Sequence, residues 1–142
     1  MEQEKDCLFC KIIKGEIPSF KVYEDEFTYA FLDINPANKH HTLVIPKKHN
    51  QNIFDIDEET HARVSKTVSK VSKYMKEELG IENINIMVSN GTIARQEIFH
   101  LHYHIIPRYE NDNNNVRLNH LSPSKEELEE TVKDFNKLNQ EK

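Results

Sequence analysis

The chain has no stretch approaching the ~18 consecutive apolar residues of a membrane span, and in 142 residues it has only two cysteines. The first lack excludes a membrane-spanning helix, so no membrane partner is expected. The second excludes a small domain stapled by disulfides. Cys7 and Cys10 stand in Cys-x-x-Cys spacing, which in a reducing compartment signals metal or redox use. An excess of positive charge is also missing. The formal net charge is −5, and lysine and glutamate are spread along the whole length. That argues against a broad basic face for nucleic acid, though a small phosphorylated ligand needs only a local cluster of donors. The opening run Met1-Glu2-Gln3-Glu4-Lys5-Asp6 is polar and acidic, unlike a secretory signal, so a cytoplasmic location is expected. No internal repeat occurs, and the one low-complexity stretch is Asn111-Asp112-Asn113-Asn114-Asn115. The length suits a single domain over 1–142, with a core at about 7–110 and a helical tail at about 122–140.

Hydrophobic patterning predicts an α+β fold. Leu8 to Ile13 reads as a short helix stopped by Gly15, with Pro18 beyond it. Thr28 to Ile34 and Thr42 to Ile45 are β-prone runs separated by the turn Asn35-Pro36-Ala37-Asn38. Between Asp57 and Gly80, Val64, Val68, Val71, Met75 and Leu79 recur at spacings of three and four, the stripe of an amphipathic helix. Asp57 suits its N-cap and Gly80 its stop. Ile84 to Val88 and Ile98 to Ile106 alternate as strands do. A capping box, Ser124 with Glu127, opens a C-terminal helix striped by Leu128, Val132, Phe135 and Leu138. The spacings suggest an antiparallel sheet with a long central helix and a C-terminal helix.

The residues richest in chemistry are His100-Leu101-His102-Tyr103-His104. On an extended chain the three imidazoles share one face, while Leu101, Tyr103 and Ile105 point to the other. Such a row can bind a metal, with His102 and His104 as ligands of a catalytic zinc. It can equally work without one, a neutral imidazole attacking an electrophile such as phosphorus while its neighbours hold charge or protons. Asn90, Gly91 and Gln96 just upstream offer neutral amides and a flexible backbone suited to phosphate oxygens. Cys7 and Cys10 need two further ligands for a tetrahedral site. His40, His41, His49 and the row supply the candidates.

With Ile105-Ile106-Pro107-Arg108 following the row, the sequence resembles the histidine triad (HIT) family of nucleotide hydrolases and transferases, in particular its bacterial branch related to Hint. The likeness begins at Cys7-Leu8-Phe9-Cys10-Lys11-Ile12-Ile13-Lys14-Gly15-Glu16-Ile17-Pro18. It runs on through Phe31-Leu32-Asp33-Ile34-Asn35-Pro36 and His41-Thr42-Leu43-Val44-Ile45-Pro46-Lys47-Lys48-His49. The resemblance implies a HIT-like fold, a homodimer and hydrolysis at the α-phosphate of a purine nucleoside phosphoramidate or dinucleoside polyphosphate. It makes His102 the nucleophile and places His104 and His41 at the phosphate. Asp33 would sit at the ribose hydroxyls, Phe31 and Ile34 at the base, and Asn90 and Gln96 beside the scissile bond. It assigns a structural zinc to Cys7, Cys10, His49 and His100. Two positions depart from the family pattern: Arg95 replaces the usual glycine before Gln96, and Glu97 the usual small residue after it. The alternative expectation is therefore a nucleotide-binding or scaffold protein with weakened catalysis.

Overall fold

Residues 4–141 are described by a computed structural model, in which five antiparallel strands form one sheet. They are β1 (Lys21–Glu24), β2 (Thr28–Leu32), β3 (Thr42–Pro46), β4 (Ile84–Met87) and β5 (Tyr103–Pro107), in spatial order β1-β2-β3-β5-β4. A short helix α1 (Leu8–Ile13) precedes the sheet, and the long α2 (Glu58–Leu79) connects β3 to β4. The fold is α+β with an antiparallel sheet, as the patterning predicts.

β2 and β3 are buried on both faces, which is why they read as continuous apolar runs. Ala30 and Val44 pack with Val64, Val68, Val71 and Met75 of α2. Their alternates Tyr29, Phe31, Leu43 and Ile45 pack with Phe9 and Ile12 of α1. The period of two thus gives each helix its own side of the central strands. A hydroxyl pair, Thr28 to Thr67 at 2.7 Å, adds a polar tie between β2 and α2. Val64 has no exposed surface. Val64→Ala should cost about 2–3 kcal/mol, checked by denaturant unfolding at unchanged slope.

The caps of α2 are as predicted. Asp57 Oδ2 accepts from the Thr60 amide at 3.0 Å, and Gly80 stops the helix at φ 68°. The stripe is one residue shorter than predicted, for Leu79 is exposed. The left-handed turn at Gly80 redirects the chain, so the next residue, Ile81, takes the buried place instead.

Three further differences have local causes. β1 lacks a sequence signal: Lys-Val-Tyr-Glu is too short for a period and lies half-exposed at a sheet edge. The predicted strand 98–106 pairs only from Tyr103, because Pro46 offers no amide to extend the ladder. The Pro46 carbonyl instead accepts from His100 Nε2–H at 2.8 Å, and the Leu101 amide donates to Asn50. The C-terminal helix has its capping box, but it divides into α3 (Lys125–Val132), a 3₁₀ turn (Lys133–Phe135) and α4 (Asn136–Gln140). Its apolar stripe stays exposed in the single chain. Among the described residues, no helix is long and apolar enough to cross a membrane.

Candidate active site and metal centre

A cavity of about 590 Å³ opens on the α1 side of the sheet, lined among others by Phe9, Phe31, Asp33, Leu43, His102 and His104. Strand register explains part of this set. His104 pairs with Leu43 on one side and Met87 on the other, and all three line the cavity. The Phe9 ring stands edge-on to His102, 5.1 Å between centroids, and to Phe31 at 5.4 Å.

Hydrogen bonds set the tautomers of the histidines. His102 Nδ1–H donates to the His100 carbonyl at 2.9 Å, so its Nε2 carries the free lone pair. The Ala37 amide donates to His41 Nδ1 at 2.9 Å, which puts the proton of a neutral His41 on Nε2. That proton is shared with His104 Nδ1, also at 2.9 Å, and leaves His104 with an Nε2–H donor. All three rings are held neutral. Burial lowers His102, against the opposing pull of the His100 carbonyl and Asp33. Burial also lowers His41, which Asp33 partly offsets. His104 is brought down to about 4 by burial, then by His102 and His41. The cavity therefore presents an unprotonated ring nitrogen beside a neutral donor, a pairing suited to nucleophilic attack.

The second site lies behind the first, where Cys7, Cys10, His49 and His100 converge with their ligand atoms within 4.8 Å of one another. With metal–sulfur bonds of about 2.3 Å and metal–nitrogen bonds of about 2.0–2.1 Å, a tetrahedron has S···N edges of about 3.6 Å and N···N edges of about 3.3 Å. The Cys7–His100, Cys10–His49 and Cys10–His100 separations are 3.4, 3.4 and 3.5 Å, and the two Nδ1 atoms are 3.2 Å apart. His100 spends its Nε2–H on Pro46, so a bare Nδ1 lone pair points into the cluster. The donor set and its edges fit tetrahedral zinc. A second acidic and imidazole group, Asp33 with His41 and His104, is also close. There the proton shared by the two rings accounts for the contact. His102 belongs to neither group.

The HIT domain model matches residues 14–111. The chain belongs to the HIT domain family. An uncharacterized HIT-like protein of Methanocaldococcus jannaschii is 46% identical over 91% of this chain and 98% of its own length. An adenosine 5'-monophosphoramidase of Saccharomyces cerevisiae is 44% identical over 72% of the chain and 62% of its own length. Among solved structures, a Zn-bound histidine triad family protein from Mycobacterium smegmatis superposes with a TM-score of 0.74 at 32% identity. It covers 96% of this chain and 98% of the other.

Within this HIT fold the residues singled out from sequence fall into two groups. Phe31, Asp33, Ile34, His102 and His104 line the cavity. Asp33 Oδ1 is engaged by the Asn35 amide at 2.8 Å, and Oδ2 lies 3.6 Å from His41 Nε2. His41 is set behind His104 rather than on the cavity wall, 5% exposed, and acts by orienting that ring. Gln96 and Asn90, expected beside the phosphate, are not among the residues lining the cavity. Gln96 is 3% exposed and its amide ties Asn52, Gly91, Gln51 and Ile98 together. Asn90 Oδ1 accepts from the Ile53 amide at 2.8 Å. The wall instead carries their neighbours Ser89, Arg95 and Glu97. Phe9, Ile12 and Ile17 also line it without having been singled out. The spacing of Phe9 and Ile12 on one helical face is the signal that marks α1 as a wall.

Proposed function

We propose that this HIT protein hydrolyses a purine nucleotide at its α-phosphorus, through a covalent intermediate on His102. The supporting observation is the free Nε2 of His102 at the cavity, its tautomer set by the His100 carbonyl. In the first step Nε2 bonds to phosphorus and the bond to the leaving amine or phosphate breaks, an amine taking up a proton from solvent that the water of the second step returns. The positive charge that grows on the ring is met by the carbonyl at Nδ1–H. His104 Nε2–H, oriented through His41 and the Ala37 amide, is the donor for a non-bridging oxygen. Water then cleaves the phosphorus–nitrogen bond and releases the nucleoside monophosphate. Asp33 would accept the ribose hydroxyls, and Phe31 and Ile34 would flank the base. The relationship to the yeast adenosine 5'-monophosphoramidase supports this class of reaction.

Cys7, Cys10, His49 and His100 would hold a structural zinc that pins α1 to the segment before β5. The Zn-bound mycobacterial protein supports that reading. The zinc leaves His102 and His104 free, so the residues' own chemistry carries the reaction. A homodimer is part of the same family-based reading.

A binding or scaffold protein is the second reading, favoured by Arg95 and Glu97 on the cavity wall. Incubation with adenosine phosphoramidate or diadenosine tetraphosphate, quenched within milliseconds, separates the two. Hydrolysis predicts released AMP and a nucleotidyl adduct on His102. Tight AMP binding with neither product nor adduct from either compound would leave the scaffold reading standing.

A further inference from the structure

Among the described residues lining the cavity Arg95 is the one permanent cation, and the formal anions are Asp33 and Glu97. Its backbone sits at φ 72°, in the left-handed region where glycine is at ease and a side chain is disfavoured. Among the described residues its guanidinium makes no hydrogen bond or ion pair; its backbone amide donates to the Thr92 carbonyl at 2.9 Å. Glu97 lines the same cavity two residues on and does not neutralise it. The turn beneath is clamped. Gln96 Oε1 accepts from the Gly91 amide at 2.9 Å and from Asn52 at 3.2 Å, while its Nε2 donates to the Ile98 carbonyl at 3.0 Å. Gln96 therefore faces the interior and its two charged neighbours flank the cavity.

A strained backbone persists only where its surroundings hold it, and here it holds Arg95, exposed and with an uncommitted fork of donors, at the wall of a nucleotide-sized space. Without Arg95 the wall would carry two carboxylates and no fixed cation, a setting that repels any phosphate beyond the first. An uncharged leaving amine has nothing for a guanidinium to bind. We propose that Arg95 is a specificity-determining residue that recognises an anionic group beyond the α-phosphate. The substrate class it selects is nucleoside di- and polyphosphates over phosphoramidates with an uncharged leaving amine. This rests on the cavity being a nucleotide site, as read above.

The test is the ratio of two affinities, which does not depend on turnover. Full-length protein, Arg95→Gly and Arg95→Lys are each titrated calorimetrically with AMP and with non-cleavable α,β-methylene-ADP. The wild-type chain should favour the diphosphate analogue, and Arg95→Gly should lower that preference by about tenfold, the scale of one lost charge-assisted contact. Arg95→Lys should keep part of it, and added salt should erode it. Glycine suits φ 72°, so Arg95→Gly folds without strain and a lost preference is not a folding defect. Binding of both ligands with an equal ratio in wild type and Arg95→Gly overturns the role of Arg95 alone. Binding of neither ligand to the wild-type chain overturns the nucleotide reading and this inference together.

Discussion

His102→Ala should lower turnover at least about 10⁴-fold, the scale seen when a covalent nucleophile is removed, with AMP affinity changed only a few-fold. The reason is the division of labour in the cavity. The apolar walls, Asp33 and His104 remain to hold a nucleotide, but no other ring nitrogen on the wall has both a free lone pair and a fixed tautomer. His104 offers a hydrogen at Nε2, since its Nδ1 is occupied by His41. The quenched adduct should vanish with the side chain. The pH profile supplies a second readout. As the proposed nucleophile His102 would attack only when unprotonated, and burial sets it below the ordinary imidazole value of 6.5. A lowered value moves the acid limb of the rate to lower pH, so wild-type turnover should fall at a lower pH than a free imidazole's titration would give. Turnover by His102→Ala equal to wild type would remove the nucleophile from this position.

Loss of the metal centre should be the largest blow to stability. The protein is expected to carry one zinc per chain, and Cys10→Ala or prolonged chelation should remove it. The cost should be roughly 3–5 kcal/mol, or about 10–17 °C in Tm for a chain of this size. Cys10 has no exposed surface, and burial pushes its thiol up to about 11. A bound metal would replace that proton and join α1 to His49 and His100. Without it, His100 is left with two neighbouring thiols and a facing imidazole in a buried space. The damage should reach the cavity as well, because the His100 carbonyl orients His102 and Phe9 of α1 packs against that ring. Elemental analysis with thermal unfolding checks both halves. A metal-free wild type that melts at the same temperature as Cys10→Ala would dismiss the zinc.

Much of the fold is legible because its signals are local. Asp57, Gly80 and the Ser124–Glu127 box act within a turn of the helix they end or begin, and the stripe of α2 repeats over about three turns. β1 is not legible, for a four-residue edge strand is defined by its partner β2 and not by its own pattern. The uniform histidine row is the instructive case. Its alternation suggests one strand face, yet the ladder begins only at Tyr103 because Pro46 cannot donate an amide. The three imidazoles consequently meet different neighbours: His100 the thiols, His102 a backbone carbonyl and the cavity, His104 the ring of His41.

Sequence alone determined the α+β class, the helix limits and the HIT likeness, since capping, period and ordered motifs are written in neighbouring residues. It also singled out the four residues whose ligand atoms converge, though only through that likeness. Tertiary structure decided which members of each motif reach the cavity. Gln96 is buried because two loops need its amide, His41 withdraws behind His104, and Arg95 is held on the wall by a turn clamped from below. Those outcomes depend on hydrogen bonds between segments some 40 to 60 residues apart, as from Asn52 to Gln96 and from His41 to His104. No local pattern can encode where such partners meet.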